Sequence, residues 1–340
     1  MQRRRFGRIG LEVPALTFGG GWVGGLLIRG SEQERVAVLD RALDAGIDWV
    51  DTAALYGNGV SETVIGGWLQ RVPKDKQPRI STKFNIDTTA GDFAGQIERS
   101  VTASLQRLGL QSVPLLILHS RVVEEASKGR DKRSLTLQDV LGPGGIADIM
   151  DKLRAQGLCD WIGLTGLGDT GPLHQVIDSG RFDAVQIYYN LLNPTAMGSA
   201  GTGWNSTDFD GLLHRCAAQD MGVMGIRIFA AGHLASRERH GREVAITANA
   251  EDAAEEARAK AALEALGSQY GTGAQAALRF GLACPLLPTI VVGIGETWHL
   301  DEALAAAEMG PLPLPALQIL EGLRRQHPAF RAAPLSNLRG

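Results

Sequence analysis

Four side chains that can hold or transfer a proton lie at or just past the ends of predicted strands. Asp51 lies near the end of the second predicted strand and Tyr56 follows that strand, Lys83 lies in the third, and His119 follows the fourth. In a parallel α/β barrel the carboxyl ends of the strands meet at one face, where catalytic residues are placed. A carboxylate, a phenol, an amine and an imidazole that converge there would shift one another's proton affinities and could move a proton during a reaction.

A strand-forming segment followed by a helix-forming segment recurs eight times along the 340-residue chain. Capping signals predict where two helices begin: Ser31 precedes Glu34 by three residues, and Asp92 precedes an apolar face with helical spacing. Eight such units predict an α/β fold of the (β/α)8 TIM barrel type. The predicted strands are 15–18, 47–52, 79–84, 115–118, 161–165, 184–188, 223–229 and 289–294. The later helices are predicted at 146–153, 172–177, 209–218, 250–266, 273–279 and 300–307.

Two segments flank the predicted barrel. Residues 2–14 are typical of a β-hairpin, and the Pro- and Leu-rich residues 311–340 are predicted to form a tail across the barrel. Because no linker-like segment divides the chain, we expect a single domain over 1–340. The longer connections follow strands four, six and seven, so they should lie at the active face and select the substrate.

The glycines Gly19, Gly21 and Gly24 spell G-x-G-x-x-G directly after a strand. This spacing is the dinucleotide fingerprint of the Rossmann fold, but the pattern alone is weak. In that fold the glycines lead straight into a helix that holds a pyrophosphate, whereas here the helix signal begins only at Ser31. We therefore expect these glycines to form a close backbone floor beside a ligand within a barrel.

Composition excludes several classes of protein. The 34 basic and 37 acidic residues are dispersed and sum to −3, so no basic surface for nucleic acid is predicted. No apolar run approaches the roughly 20 residues of a membrane span, and Arg3–Arg5 is not followed by a signal-peptide core. The cysteines Cys159, Cys216 and Cys284 show neither metal nor disulfide spacing, which favours buried thiols in a cytoplasmic protein without a metal site.

The ordered motifs resemble the aldo-keto reductase superfamily over nearly the whole chain. Loops with the style of its sugar- and pyridoxal-dehydrogenase-like branches are present as well. The family-like motifs are Gly10-Leu11-Glu12-Val13-Pro14, Asp51-Thr52-Ala53-x-x-Tyr56-Gly57, Ser61-Glu62, Ser81-Thr82-Lys83 and Leu118-His119-Ser120. The branch-like loops are Leu141-Gly142-Pro143-Gly144-Gly145 and Gly163-Leu164-Thr165-Gly166-Leu167-Gly168.

This resemblance implies hydride transfer between a nicotinamide cofactor and a carbonyl or alcohol substrate, such as an aldehyde, ketone or sugar. Tyr56 would be the general acid in reduction and the base in oxidation. The Lys83 ammonium would favour the phenolate, and Asp51 would pair with Lys83. His119 would orient the carbonyl and share the oxyanion with Tyr56.

The resemblance also implies a groove for NADP(H) or NAD(H). Thr165 and Gln186 would hold the carboxamide, while Arg227 could reach the pyrophosphate or form an ion pair at the rim. The adenosine half would lie along Gly293, Gly295, His299 and Glu302, a segment without the cation expected for a 2′-phosphate, so both cofactors stay open. Trp22 and Trp204 are candidates for the wall of the substrate site.

Two other functions remain as alternatives. A lysine on a barrel strand suits a Schiff-base aldolase that uses Lys83, although the adjacent Asp51 would keep the amine protonated. A non-catalytic subunit that senses the nicotinamide cofactor would bind nucleotide without turnover. The expected partner is a small-molecule carbonyl substrate, and the sequence does not predict the oligomeric state.

Overall fold

Eight parallel strands form a closed barrel in the computed structural model, which describes residues 1–21, 23–125, 132–200, 203–235 and 252–330. Each strand is hydrogen-bonded to its neighbour in chain order, and β8 closes the ring against β1. This confirms the predicted (β/α)8 fold. The strands are β1 (Leu16–Gly19), β2 (Trp49–Asp51), β3 (Arg79–Phe84), β4 (Val113–Leu118), β5 (Cys159–Gly166), β6 (Ala184–Tyr188), β7 (Gly222–Ile226) and β8 (Thr289–Gly293).

Helices surround the barrel and bury one face each against it, as the 3.6-residue spacing of their apolar residues requires. The described helices are α1 (Leu26–Arg29), α2 (Glu32–Asp44), α3 (Val60–Leu69), α4 (Phe93–Leu108), α5 (Leu137–Leu141), α6 (Ile146–Ala155), α7 (Thr170–Asp178), α8 (Leu212–Ala218), α9 (Asp252–Leu266), α10 (Gly273–Leu282), α11 (Thr297–Met309) and α12 (Leu314–Gln326). The capping box of Ser31 and Glu34 and the cap at Asp92 are both present where predicted.

The N-terminal hairpin covers one end of the barrel. Its strands, Arg3–Arg5 and Glu12–Pro14, pair antiparallel, which confirms the predicted hairpin. Phe6 is fully buried and meets Trp49, the first residue of β2, with ring centroids 5.4 Å apart. Because the hairpin covers the end where the strands begin, the opposite end, where they finish, is the one available for chemistry.

Strand register places the predicted catalytic residues at that finishing end. Asp51, the last residue of β2, pairs with Gly19 of β1 and with Ser81 of β3. Lys83 lies two residues beyond Ser81 on the same strand and pairs with Ile117 of β4. Alternation along a strand therefore puts Ser81 and Lys83 on the same face as each other.

Several predicted boundaries differ from the structure by one to three residues, and the local backbone explains two of the larger differences. Strand β7 ends at Ile226 and not at 229, because Arg227 adopts a left-handed φ of 59°. Helix α8 begins at Leu212 and not at 209, since Asp210 and Gly211 also have positive φ. The predicted tail contains α12, whose prolines lie at or before its first turn, where they are compatible with a helix.

The glycine-rich segment after β1 belongs to the barrel and not to a Rossmann fold, although α1 begins at Leu26, earlier than the predicted helix signal. A Cβ on Gly24 would lie 2.6 Å from the backbone nitrogen of Ile294, so glycine allows this segment to pack directly on the end of β8. A Cβ on Gly21 would lie 3.7 Å from the Tyr56 ring, which places this part of the floor beside the candidate acid.

Within the described ranges, no single helix is long and apolar enough to cross a bilayer. Helices α11 and α12 reach the required length and composition only as a pair, and the pair is bent by 110°.

Candidate active site

Lys83 is the centre of a buried hydrogen-bond network at the finishing end of the barrel. Its ammonium donates to Asp51 Oδ2 at 2.5 Å, to the carbonyl of Thr52 at 2.8 Å and to the hydroxyl of Tyr56 at 3.2 Å. The side chain of Lys83 is fully buried, and its ammonium also lies 4.7 Å from the centre of the Tyr56 ring. Three of the four predicted catalytic residues are therefore in direct contact.

Neutral donors hold the Asp51 carboxylate from the side opposite Lys83. Ser81 Oγ donates to Asp51 Oδ1 at 2.7 Å, and Gln186 Nε2 donates to the same oxygen at 2.8 Å. Ser81 in turn accepts from the indole nitrogen of Trp49 at 3.1 Å. Sequence reasoning missed this role of Ser81, although its spacing of two residues from Lys83 could have indicated a shared face.

Burial and charge act in opposite directions on Lys83. Burial alone would lower the pKa of its ammonium, but the Asp51 carboxylate and the Tyr56 oxygen raise the pKa above its ordinary value. The amine is thus held protonated, as a charge-assisted hydrogen-bond donor to both partners.

Backbone hydrogen bonds fix the turn that carries Tyr56. The Tyr56 N–H donates to the Ala53 carbonyl at 3.0 Å, and the Ala54 N–H donates to the carbonyl of Lys83 at 3.1 Å. Below the turn, Thr52 Oγ1 donates to Ser61 Oγ at 2.8 Å. The turn that carries the phenol is therefore hydrogen-bonded to the strand that carries Lys83, which limits how far the two side chains can separate.

His119 meets Tyr56 edge to face, with ring centroids 5.8 Å apart and planes at 87°. Its half-buried ring has a pKa lowered to about 3, chiefly by burial and then by the positive charges of Lys83, Arg133 and Arg227. A neutral imidazole offers one N–H as a donor near neutral pH. Since buried polar atoms normally have partners, its Nδ1, buried without a hydrogen bond, points to a ligand.

Two more buried polar atoms without a partner lie at neighbouring strand ends. Thr165 is 1 % exposed, and its Oγ1 has no hydrogen-bond partner among the described residues. The side-chain oxygen of Asn85, just past β3, is also buried without one. A carboxamide would supply the donors and acceptors that these atoms lack, so the residues present fit the expected nicotinamide.

Gln186, by contrast, already has a hydrogen-bond partner for its amide nitrogen. Its amide nitrogen donates to Asp51, a contact that was not predicted beside the expected one with the cofactor. A Cβ on the neighbouring Gly166 would lie 2.9 Å from Ile187 Cδ1, so a larger residue there would need a shift of that side chain.

The segment after β7 contains a cluster of non-glycine residues in left-handed conformations. Arg227, Ala230 and Ala231 have φ values of 59°, 47° and 59°. Such strain is often retained at functional sites. Asn190 Nδ2 donates to the carbonyl of Arg227 at 3.0 Å and helps to hold this conformation. Propensity alone did not predict it, because alanine carries no signal for positive φ.

The Arg227 guanidinium lies close enough to the catalytic residues to interact with them electrostatically. Burial lowers the pKa of Arg227, while the oxygens of Tyr56 and Tyr188 raise it. Its charge in turn lowers the pKa of His119. This cation therefore belongs to the mouth of the catalytic centre.

The predicted adenosine segment forms the turn between β8 and α11. His299 Nδ1 accepts hydrogen bonds from the N–H groups of Gly295 and Glu296, both at 3.1 Å. Glu302 accepts from Thr272 Oγ1 at 2.5 Å, which connects α11 to the start of α10. Gly293 ends β8, beside Gly19 of β1. Of the four predicted residues, Gly295 and His299 are therefore in direct contact, while Gly293 ends β8 and Glu302 lies further along α11.

Of the tryptophans predicted to line the site, Trp204 packs against the C-terminal segment. Its ring stacks on Phe330 at 6.2 Å, and its indole nitrogen donates to the carbonyl of Thr207 at 3.3 Å. This arrangement supports a packing role for Trp204. Trp22 lies outside the described residues.

Comparisons with known proteins identify the family to which the chain belongs. The model of the Aldo/keto reductase family matches residues 15–324. The chain is similar to a D-threo-aldose 1-dehydrogenase from Pseudomonas sp., with 30 % identity over 68 % of this chain and 71 % of the relative. It is similar to an L-galactose dehydrogenase from Arabidopsis thaliana, with 26 % identity over 90 % and 88 %.

A solved structure shows the same fold. An aldo-keto reductase from Bacillus halodurans in its holo form superposes with a TM-score of 0.72 at 19 % identity, covering all of both chains. This likeness supports the fold, and the match to the family model confirms the family predicted from the sequence motifs. The chain belongs to the aldo/keto reductase family, whose members are oxidoreductases that use a nicotinamide cofactor and act on small carbonyl compounds.

Proposed function

We propose that this protein transfers a hydride between a nicotinamide cofactor and an aldose or a related carbonyl compound, with Tyr56 as the general acid and base. One observation carries the proposal: the buried Lys83 ammonium donates at once to Asp51 and to the Tyr56 hydroxyl. A bound nicotinamide supplies or accepts the hydride. What the protein must add is a proton at the substrate oxygen and a fixed geometry.

In reduction, the substrate oxygen gains negative charge as the carbonyl carbon accepts the hydride. Tyr56 then gives its hydroxyl proton to that oxygen, and the Lys83 ammonium stabilises the phenolate that remains. In oxidation the same phenolate removes the proton from the substrate hydroxyl. Asp51 holds the ammonium in place throughout and has no contact with the substrate in this scheme.

His119 is proposed to position the substrate oxygen. It meets the Tyr56 ring, and burial keeps its imidazole neutral near neutral pH, with a pKa of about 3. The ring can therefore donate a hydrogen bond to the developing oxyanion without competing for the Tyr56 proton. The charge of Arg227 nearby would add to the stabilisation of that oxyanion.

Thr165 and Gln186 are proposed to hold the carboxamide of the cofactor. The Thr165 hydroxyl is buried and has no hydrogen-bond partner in the described part of the chain. Because the Gln186 nitrogen donates to Asp51, the group that it would present to the carboxamide is its amide oxygen. This link would connect the orientation of the cofactor to the carboxylate that holds Lys83.

The names of two relatives support an aldose as the substrate class, since both relatives are described as sugar dehydrogenases. The state of Lys83 argues against the Schiff-base alternative. Its ammonium makes three hydrogen bonds and its pKa is raised, so the amine lacks the free lone pair that an aldolase nucleophile needs.

The experiment compares wild type with Tyr56→Phe, which removes only the hydroxyl. Reduction of a panel of aldoses and simple aldehydes is followed at 340 nm, and cofactor binding is measured by fluorescence titration. We expect kcat to fall by about 10²–10⁴ while the affinity for cofactor is retained. Full activity in the variant would refute the role of Tyr56. Tight binding of cofactor by wild type, without turnover of any substrate, would favour the sensing subunit.

A further inference from the structure

Asn85, the first residue after β3, lies on the side of that strand that faces the catalytic centre. Ser81 and Lys83, within β3, both contact Asp51. Asn85 lies two residues beyond Lys83, so the alternation of side chains along an extended chain gives it the same side. Since β3 ends at Phe84, this argument requires that the chain stay extended past the end of the strand.

The chain does stay beside β4 past the end of β3. The His119 N–H donates to the Phe84 carbonyl at 2.8 Å, and the Ile86 N–H donates to Ser120 Oγ at 3.1 Å. Phe84 and Ile86 are both buried in the hydrophobic core that the strands share with the surrounding helices. Asn85, between them, is therefore directed to the opposite side, at the mouth of the barrel.

One hydrogen bond determines the orientation of the Asn85 amide. Its Nδ2 donates to the backbone carbonyl of His119 at 2.9 Å. A carbonyl can only accept, so the amide nitrogen faces it and the amide oxygen lies at the other end. Within the described ranges that oxygen, Oδ1, is buried and has no hydrogen-bond partner. Because an unpaired buried acceptor is unfavourable, this atom calls for a donor from a ligand.

Strand order indicates which ligand supplies that donor. The proposed function assigns the carboxamide of the cofactor to Thr165 of β5 and Gln186 of β6, which are adjacent strands. Asn85 follows β3, and His119, at the end of β4, lies between it and those two strands. Since His119 is the residue proposed to position the substrate oxygen, Asn85 Oδ1 lies on the substrate side of the site.

An acceptor at this place discriminates between carbonyl compounds. An aldose carries a hydroxyl group on the carbon next to its carbonyl, whereas a simple aldehyde carries only hydrogen atoms there. A hydroxyl can donate to Oδ1, while an apolar group would leave Oδ1 buried and unpaired. A site that accepts a hydrogen bond from a substrate hydroxyl therefore rejects the analogue that lacks the hydroxyl.

We propose that Asn85 is a substrate-binding residue that accepts a hydrogen bond from a hydroxyl group beside the substrate carbonyl, and that it thereby selects hydroxylated aldehydes over simple ones. This inference rests on the proposed function, because it takes Tyr56 and His119 to hold the reacting carbonyl.

The test compares glyceraldehyde with propanal, which has the same three carbons and lacks both hydroxyl groups. Reduction of each is followed at 340 nm for wild type, Asn85→Leu and Asn85→Asp. The leucine removes the acceptor at nearly constant size, and the aspartate keeps an acceptor oxygen in the same place. Cofactor binding is titrated by fluorescence without substrate, and circular dichroism verifies that each variant is folded. If wild type reduces aldoses but not glyceraldehyde, ribose and 2-deoxyribose form the pair.

We expect wild type to favour the hydroxylated compound by about 10- to 100-fold in kcat/KM, as the cost of an unpaired buried acceptor predicts. Asn85→Leu should bring this ratio close to one, mainly through lost activity on the hydroxylated compound, and should bind cofactor as wild type does. Asn85→Asp should still favour the hydroxylated compound, because an acceptor oxygen remains.

Several results would overturn the inference. A ratio near one in wild type, or a wild-type ratio in Asn85→Leu, would show that Asn85 does not recognise the hydroxyl. An equal loss of activity on both compounds would mean that Asn85 only holds the backbone of His119. Cofactor binding at least tenfold weaker in Asn85→Leu would assign Oδ1 to the carboxamide. The proposed function survives each of these results, whereas it fails if wild type reduces no carbonyl compound at all.

Discussion

The buried ion pair between Lys83 and Asp51 offers a direct test of how the site is held together. Lys83→Met keeps an unbranched side chain but removes the ammonium that donates to Asp51, Thr52 and Tyr56. The Asp51 carboxylate would then stay inside the protein without its counter-charge. Such a loss is costly because an uncompensated charge is poorly solvated in the protein interior.

The contacts of Asp51 indicate how much unfolding free energy Lys83→Met should lose. Breaking a buried pair by removing one partner costs about 3–5 kcal/mol of unfolding free energy. Ser81 and Gln186 would still donate to the Asp51 carboxylate in Lys83→Met, so we expect the lower end, about 3 kcal/mol. Asp51→Asn should cost a similar amount, because it leaves the ammonium without its counter-charge. The double variant removes both charges and should lose about 2 kcal/mol less than the sum.

Urea unfolding followed by circular dichroism measures the unfolding free energies of wild type, the two single variants and the double variant, which together form a double-mutant cycle. The matched control is the pair of Arg5 and Asp220, which is 2.6 Å long, with both side chains at least half exposed. Exposed pairs contribute little to stability, so Arg5→Met and Asp220→Asn should show no coupling beyond experimental error. Equal coupling free energies for the Lys83–Asp51 pair and the Arg5–Asp220 pair would refute the argument that burial makes the Lys83–Asp51 interaction strong.

Two further predictions concern single residues. The folded pKa of His119, about 3, lies below the unfolded value near 6.5, so only the unfolded chain gains this proton as the pH falls. The free energy of unfolding should therefore decrease below pH 6.5, and His119 should account for about 2 kcal/mol of this decrease at pH 5. Urea titrations of His119→Asn should lack this contribution. Identical pH profiles of stability for wild type and His119→Asn would contradict the prediction. Gly24→Ala should lose about 1–3 kcal/mol, because its Cβ would lie 2.6 Å from Ile294. Gly67→Ala in α3, with open space around its Cβ, should gain about 0.5–1 kcal/mol; equal melting temperatures for the two variants would contradict the close approach.

Local patterns in the sequence determined the barrel and the identity of its central residues. Strand segments such as 79–84 and 184–188 were predicted to the residue, because each is a short segment that lies between two segments with helical spacing of apolar residues. Asp51, Tyr56, Lys83 and His119 could be chosen because parallel strands in a barrel finish at one face. The spacing of apolar residues predicts strands and helices. Because the barrel is regular, the order of these strands also predicts which residues lie at its active face.

Contacts between distant parts of the chain were decided only by the tertiary structure. The hydrogen bond from Gln186 to Asp51 joins residues 135 positions apart, and no local pattern carries that information. The left-handed Arg227 and Ala231 likewise depend on their surroundings, since their residue types do not favour positive φ. Sequence therefore determined which groups are present at the active face, while packing determined which of them touch, because register and side-chain contacts form only when the barrel closes.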